Sequence, residues 1–334
     1  MTAPPPPPPS PPAHLGHLPD DRWRRWDTAL WLAPVIAYLV FPGHLVLGSQ
    51  VIITALFALS LDIILGYAGI VSLGHAAFFG LGAYTAGLLA AHGWTEPLTG
   101  LVCAGVIAAA GGYATSFLVV RGSALTQLMI TLGVVLLLQE VANKASSLTG
   151  GVDGLSFTMS PLLGAIRFDL AGRTAYGYSA VVALAAFVLV RRVVTSPFGL
   201  SLRAIREGAA RMPALGAPVG RRLVAAFTLS AGLAGLAGGL LAQTTQFVAI
   251  DSISFPRSAA VLIMLVLGGA GRLYGAFLGA GLFMLMQDYL ARLDPVYWQL
   301  WIGGLLVVVV LFGRGGVLGV AEELGARLRR RRAR

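Results

Sequence analysis

Two polar side chains stand in an apolar, glycine-rich stretch at 66–80, which reads GYAGIVSLGHAAFFG. His75 could carry a proton or bind a ligand, and Ser72 could donate or accept a hydrogen bond. No Asp, Glu, Cys or second His accompanies His75 within HAAFFG. This isolation favours a hydrogen-bonded structural histidine over a proton carrier.

Carboxylates inside apolar segments are costly and are therefore functional candidates. Asp62, Glu140 and Asp288 qualify, each toward the end of its apolar run, and Glu140 can pair with Lys144 one helical turn later. These carboxylates form no chain across a membrane, which disfavours an ion-coupled secondary transporter. The sequence has no cluster of His, Cys or carboxylate residues, and this disfavours a membrane enzyme.

Nucleotide and metal chemistry are also disfavoured. A phosphate-binding loop GxxxxGK[ST] needs a lysine after glycine, whereas the sole lysine, Lys144, follows Asn143. Cys103 is the only cysteine, so an intrachain disulfide and a cysteine-based metal site are excluded. We expect no cofactor and no metal, and ATP hydrolysis, if it drives this protein, must occur on another chain.

The amino-acid composition indicates in what kind of protein these polar residues lie. Of 334 residues, 57% are hydrophobic and only 11% are charged, and the mean hydropathy is +0.79. These values are typical of an integral membrane protein. The net charge of +10 comes from basic residues beside apolar runs, so it indicates membrane topology rather than nucleic-acid binding.

A membrane-spanning helix needs about 20 apolar residues. The pattern predicts an all-α, polytopic bundle of about ten transmembrane helices, with eight to ten possible, interrupted by glycine-rich breaks. The predicted spans are 29–47, 49–66, 76–92, 98–120, 124–142, 176–194, 222–243, 257–271, 274–290 and 297–313.

The distribution of arginine places both termini in the cytoplasm. Residues 1–25 form a Pro-rich tail, predicted to be extended and disordered, and 321–334 form a basic tail suited to a lipid surface. The predicted transmembrane domain is 26–320, with its longest inner segment at 191–222 and its longest outer loop at 143–175.

Gly66, Gly69 and Gly74 weaken a continuous helix, and Ser72 can cap a new one. Two interpretations remain open. The break lies at membrane depth, buried in protein or lining a translocation path, or it is a short cytoplasmic turn between complete spans.

Small residues at helical spacing let membrane helices approach closely. We expect such contacts at a set of seven glycines, of which the last three share one helical stripe. The set is Gly80, Gly87, Gly235, Gly239, Gly271, Gly275 and Gly279.

Within 191–222, helical periodicity predicts a short amphipathic helix ended by Pro213. Its apolar face holds Leu202, Ile205, Ala209 and Met212. Its polar face holds Ser201, Arg203, Arg206, Glu207 and Arg211. Such a helix can contact a soluble partner, although a solvated basic loop explains the charges equally well.

Four segments in order resemble the permeases of branched-chain amino acid ABC importers, in the LivM-like branch. They are GYAGIVSLGHAAFFGLGAYTAG at 66–87, TLGVVLLLQEVANKASSLTGGVDGL at 131–155, SPFGLSLRAIREGAARMPALG at 196–216 and LIMLVLGGAGRLYGAFLGA at 262–280. The resemblance implies a transport subunit of a bacterial cytoplasmic membrane. Its implied partners are ABC ATPases, a homologous second permease and an extracytoplasmic binding protein, besides membrane lipid and without nucleic acid.

The resemblance also assigns roles to residues. It implies a coupling helix that contacts the ATPase, followed by a closing glycine: Leu202, Arg203, Ala204, Ile205, Arg206, Glu207 and Gly216. It implies a translocation path beside Gly66, Gly69, Ser72, Gly74 and His75. The sequence departs from the family at Gly208 and Ala209, where polar residues are usual. The implied solutes are leucine, isoleucine and valine, with urea or short amides as the alternative.

Overall fold

The computed structural model describes residues 25–161, 169, 172–295, 297, 300, 301, 303, 304, 316, 317 and 319. The expected basic tail at 321–334, the Pro-rich tail up to residue 24 and most of the predicted span 297–313 lie outside the described residues.

Helices dominate the described chain, which is an all-α polytopic membrane protein. The helices are α1 Arg25–Val40, α2 Leu45–Asp62, α3 Ala76–Ala91, α4 Pro97–Val119, α5 Ala124–Lys144, α6 Ser146–Thr149, α7 Arg173–Thr195, α8 Pro197–Gly208, α9 Val219–Thr245, α10 Phe255–Gly268 and α11 Leu273–Leu293. Two short antiparallel strands, β1 Leu155–Ser156 and β2 Phe247–Val248, join the loop after α6 to the end of α9.

Within the described residues, five helical segments are long and apolar enough to cross a membrane, or six if the bent α10–α11 pair is one span. The five are Pro42–Tyr67, Pro97–Val119, Ala124–Lys144, Arg173–Thr195 and Val219–Thr245. Trp31–Val40 and α3 are apolar but shorter. The expected fold class is confirmed, whereas the count of ten spans is not established by these segments.

The boundary between the first two predicted spans is shifted. It was expected between residues 47 and 49, but the chain leaves α1 after Val40 and passes through a 3-10 turn at Pro42–His44. Pro42 has no N–H to continue the α-helical ladder and disfavours helical backbone at the preceding residue. Phe41 accordingly lies outside the helical region, at φ −121° and ψ 61°.

Helix α9 lies at the centre of the bundle and packs closely on α3 and α4. A Cβ atom added at Gly235 would meet Ala108 and Ala104, and one at Gly239 would lie 2.9 Å from the Ala104 Cβ. These contacts agree with close approach at small residues. Added Cβ atoms at Gly82 and Gly238, which the sequence analysis did not single out, would collide with the backbones of Gly235 and Phe79.

The remaining predicted packing glycines also lie at contacts. Gly80 faces Ile253, and a Cβ at Gly87 would lie 3.0 Å from Phe157 Cε1. Gly275 and Gly279 face the backbone of α10 around Gly268, so α10 and α11 approach without intervening side chains.

The expected helical stripe through Gly271 is wrong. Helices α10 and α11 are bent by 115° at a short break, and Gly271 lies in that break with φ +81°, before α11 begins at Leu273. This left-handed backbone favours glycine. Because α10 has only 14 residues, about 21 Å at 1.5 Å per residue, it does not cross a membrane alone.

Candidate functional site

The glycine-rich stretch forms a break between α2 and α3. Helix α2 continues into a π-helical turn, Ile63–Tyr67, a rare geometry found often at functional sites. The chain then reverses, with Gly69 at φ +77° and the N–H of Ile70 bonded to the Ile64 carbonyl at 2.8 Å. Residues 68–75 therefore return along α2 to reach α3.

His75 lies where this returning segment meets α2 and α9. Its Nε2 is 2.9 Å from Ser60 Oγ and 3.5 Å from Ser230 Oγ. Ser60 Oγ donates to the Phe57 carbonyl at 2.6 Å, so it accepts from His75, which assigns the proton to Nε2. The imidazole also stacks on Phe57, with ring centroids 5.5 Å apart. These contacts agree with the expected structural histidine.

Two polar atoms of this segment have no protein partner among the described residues. His75 Nδ1 and Ser72 Oγ are both buried and make no hydrogen bond. A buried polar group without a partner is costly and needs an explanation. Ser72 and His75 are therefore candidates for a role beyond packing.

The segment is tightly enclosed by α5. An added Cβ at Gly74 would collide with the Thr131 backbone carbonyl, and the Leu73 N–H donates to Thr131 Oγ1 at 3.2 Å. On the α3 side, the Ala76 N–H donates to Ser258 Oγ at 2.9 Å. A void lined by Gly74, Phe78 and Thr131 is too small for a water molecule. The break is thus closed in this structure.

The two open interpretations of the break can now be compared. Seven of the eight residues 68–75 are buried or half-buried, and Gly69 is exposed. A solvated turn would leave most of its residues exposed. Helix α3 has 16 residues, about 24 Å at 1.5 Å per residue, which is short of the roughly 30 Å hydrocarbon core. The geometry favours a break buried in protein, the form that a membrane interior tolerates.

The predicted amphipathic helix is α8. Leu202 and Ile205 are buried on its inner face, as expected. Arg203 and Arg206, expected on the polar face, also contact other parts of this chain. The Arg203 guanidinium lies 5.0 Å from the Tyr67 ring centroid, and Arg206 Nη1 donates to the Gly66 carbonyl. Arg206 and Glu207 are nevertheless exposed and Arg203 and Ala204 half-buried, so the predicted polar face is present and the contacts of the two guanidinium groups are the new observation.

Helix α8 is shorter than expected. It ends at Gly208 rather than at Pro213, so Ala209 and Met212 lie beyond it. Pro213 instead begins a 3-10 turn that Gly216 closes at φ +75°. A Cβ at Gly216 would meet nothing within 4 Å, so the backbone conformation alone explains glycine there.

Asp62 connects the two glycine-rich breaks. Its Oδ1 accepts a hydrogen bond from the Gly271 N–H at 2.6 Å, and its Oδ2 is a buried atom without a partner among the described residues. Added Cβ atoms at Gly66 and Gly271 would meet Asp62 and the Gly66 carbonyl respectively. The sequence analysis identified Asp62 only as a costly carboxylate; no local signal indicated its partner.

Two other ion pairs each join residues one helical turn apart on one helix. Glu140 and Lys144 pair at 3.5 Å as expected, both well exposed, and Asp288 pairs with Arg292 at 2.8 Å. Within the described part of the chain, no group of three His, Cys, Asp or Glu residues could hold a metal ion.

A polytopic apolar bundle with buried helix breaks, one of them held by an amphipathic helix, defines a membrane transport subunit. The family described as "Branched-chain amino acid transport system / permease component" matches residues 45–311, and the chain belongs to this family. It is therefore an ABC-type permease component.

Curated relatives carry more specific names. The chain is 28% identical over 311 residues to the high-affinity branched-chain amino acid transport system permease protein LivM of Escherichia coli (strain K12), covering 86% of this chain and 73% of the relative. It is 29% identical to LivM of Salmonella typhimurium, with the same coverage. It is 30% identical to the autoinducer 2 import system permease protein LsrC of Enterobacter sp. (strain 638), covering 83% and 81%. No solved structure matches the chain significantly.

Proposed function

We propose that this chain is the permease subunit of an ATP-driven ABC importer for branched-chain amino acids. One observation supports it above the others: α8 contacts the break after α2 through Arg206 and Gly66, and that break contacts the second one through Asp62 and Gly271. A movement of α8 is therefore transmitted directly to both breaks.

In this proposal, α8 is the coupling helix. Leu202 and Ile205 anchor it in the bundle, Arg203 and Arg206 hold the π-helical turn, and Ala204 and the exposed Glu207 remain toward the ATPase. The closing turn at Gly216 sets where the chain enters α9. The contact has a mechanical role, since discrete rearrangement of packed elements is how such movements propagate.

The translocation path runs beside Gly66, Gly69, Ser72, Gly74 and His75. The segment combines backbone groups of a broken helix with two unpartnered polar atoms, Ser72 Oγ and His75 Nδ1. Broken helices of this kind form the solute sites of many transporters. In the described structure this region is closed, so solute passage requires 68–75 to separate from Thr131.

Leucine, isoleucine and valine are the proposed solutes because two of the relatives are named as branched-chain amino acid permeases. The LsrC relatives show that such permeases serve other solutes as well. Urea or a short amide is the alternative solute. The proposed partners are ABC ATPases, a homologous second permease forming a heterodimer, and an extracytoplasmic binding protein.

We place the chain in a bacterial cytoplasmic membrane with both termini inside, because arginine is concentrated on that side of the predicted spans. The transmembrane domain is 26–320, including the inner segment 191–222. Residues 1–25 and 321–334 are cytoplasmic tails.

The test is purification of the chain from its native membrane in mild detergent, followed by mass spectrometry of bound proteins. We expect an ABC ATPase and a second permease. The complex, reconstituted in liposomes with its binding protein, is then assayed for ATP-dependent uptake of labelled leucine and urea. Leucine uptake supports the proposed solute, and urea uptake alone replaces it. Reproducible recovery of the chain alone, with ion-driven uptake, contradicts the proposed ABC mechanism.

A further inference from the structure

A large apolar groove, separate from the breaks, runs between α4 and α9 with one side formed by α7. Its volume is about 1120 Å³. Val102, Val106 and Phe117 of α4 line it, together with Val224 and Leu236 of α9 and Leu189 of α7. Residues 102 to 120 of a helix extend about 27 Å, close to the roughly 30 Å of hydrocarbon in a bilayer.

Two arginines lie at one end of this groove. Arg121 lies two residues after the end of α4, and Arg221 lies in the first turn of α9. Both line the groove. Helices α4 and α9 are antiparallel, since Ala104 lies near Gly239 while Gly112 lies near Ala231. The end of α4 and the start of α9 therefore meet, which brings Arg121 and Arg221 to the same end.

The charge at this end is not balanced within the groove. None of the residues that line it is Asp or Glu, and Arg121 and Arg221 are exposed. The first turn of α9 adds the partial positive charge of a helix N-terminus. Gly220, which also lines the groove, has open space where a Cβ would stand, so an anion can approach the backbone there.

The groove wall is suited to hydrocarbon. Val106, Tyr113 and Phe117 are exposed toward it, and Tyr113 and Phe117 contact each other edge to face, with ring centroids 4.9 Å apart. Exposed apolar patches of this size in a soluble protein indicate a binding surface. In a membrane, acyl chains cover such a surface.

We propose that this groove binds an anionic phospholipid of the cytoplasmic leaflet. Its phosphate lies between Arg121 and Arg221, and its acyl chains lie along Phe117, Tyr113 and Val224. The positive-inside rule assigns both arginines to that leaflet. A helix of the second permease is the competing occupant, since Gly105 and Gly232 are small. It would need its own acidic groups to balance the two arginines, whereas a phosphate supplies the charge itself.

The experiment is native mass spectrometry of the purified full-length chain, delipidated and titrated with phosphatidylglycerol or phosphatidylcholine. We expect the wild-type chain to retain phosphatidylglycerol preferentially. The Arg121→Gln/Arg221→Gln variant should lose this preference by about tenfold, as for a charge-assisted hydrogen bond. The matched control Arg192→Gln/Arg222→Gln, which removes two nearby arginines outside the groove, should keep it.

Two further measurements test whether a loss of lipid binding is due to misfolding and whether a helix occupies the groove instead of lipid. Thr228→Phe fills the groove without altering the arginines, so it should lower phosphatidylglycerol retention while the melting temperature is kept. A photo-reactive amino acid at Phe117 should cross-link to lipid in the native membrane, more than one at the exposed Leu137 of α5. Cross-linking of position 117 chiefly to another polypeptide, or equal lipid retention by the arginine variants, overturns the proposal.

Discussion

The Gly271 N–H donates a hydrogen bond to the carboxylate of Asp62 at 2.6 Å, across 209 residues of sequence. Asp62 ends α2 and Gly271 lies between α10 and α11, so this single bond joins the two glycine-rich breaks. Arg206 of α8 donates to the Gly66 carbonyl one helical turn away. The three elements form one connected junction.

Asp62→Ala should destabilise the junction more than Asp62→Asn. Alanine leaves the Gly271 N–H without an acceptor, at a cost of about 1–3 kcal/mol, whereas asparagine keeps an oxygen there. The melting temperature in detergent measures both variants. Asp153→Ala, which removes an exposed acid of the loop after α6, should leave the melting temperature unchanged. Equal losses for the two Asp62 variants would show that the charge, rather than the acceptor, is required.

Arg206→Ala should loosen the π-helical turn. The lost bond connects a charged donor to a backbone carbonyl, and it is partly solvated, so we expect amide exchange at Tyr67–Ile70 to rise on the order of tenfold. Hydrogen–deuterium exchange with mass spectrometry measures this. Arg211→Ala is the control, because Arg211 lies after α8.

Arg206→Ala also tests whether α8 couples ATPase movement to the helix breaks. If α8 transmits ATPase movement through Arg206, Arg206→Ala and the charge reversal Arg203→Glu/Arg206→Glu should lower uptake while the chain still inserts and ATP is still hydrolysed. Unchanged uptake together with raised amide exchange would show that the contact is structural only.

Gly74→Ala should suffice to disturb the break, and Gly74→Leu should abolish uptake. Even the Cβ of alanine collides with the Thr131 carbonyl, and overpacking of this kind costs about 1–3 kcal/mol. The matched control is Gly133→Ala on α5, where a Cβ meets nothing within 4 Å. Wild-type uptake by Gly74→Leu would remove this segment from the proposed path.

Ser60→Ala should destabilise the protein by about 1–3 kcal/mol more than Ser49→Ala. Both serines are buried in α2 and bond a local carbonyl, Phe57 for Ser60 and Val46 for Ser49. Only Ser60 also accepts from His75. The difference between the two melting temperatures therefore measures how much the Ser60–His75 hydrogen bond contributes to stability. Equal melting temperatures would show that this bond contributes little.

Much of this fold follows from local pattern. Apolar runs of the right length predict α4, α5, α7 and α9 within a few residues of their observed ends, because each must satisfy its own backbone in lipid. Gly69 marks a real reversal, since its φ of +77° is costly for other residues. The inward positions Leu202 and Ile205 follow from helical periodicity.

The junction could not be predicted in the same way. Asp62 and Gly271 are distant in sequence, and nothing near either residue specifies the other. Arg203 and Arg206 have the spacing of a polar face, but that spacing does not indicate that their guanidinium groups contact the Tyr67 ring and the Gly66 carbonyl. Gly271 has helical spacing to Gly275, yet its positive φ places it in a turn. Tertiary contacts decided each of these outcomes.

The contacts of α9 with α3 and α4 are made largely by glycine and alanine, as at Gly82, Gly235 and Ala104. These residues have no side-chain rotamers to lose, so assembling this interface costs almost no side-chain conformational entropy. Because lipid tails are themselves apolar, the hydrophobic effect contributes little to the association of helices in a membrane. The small loss of side-chain entropy therefore adds to the dispersion contacts in stabilising the centre of the bundle.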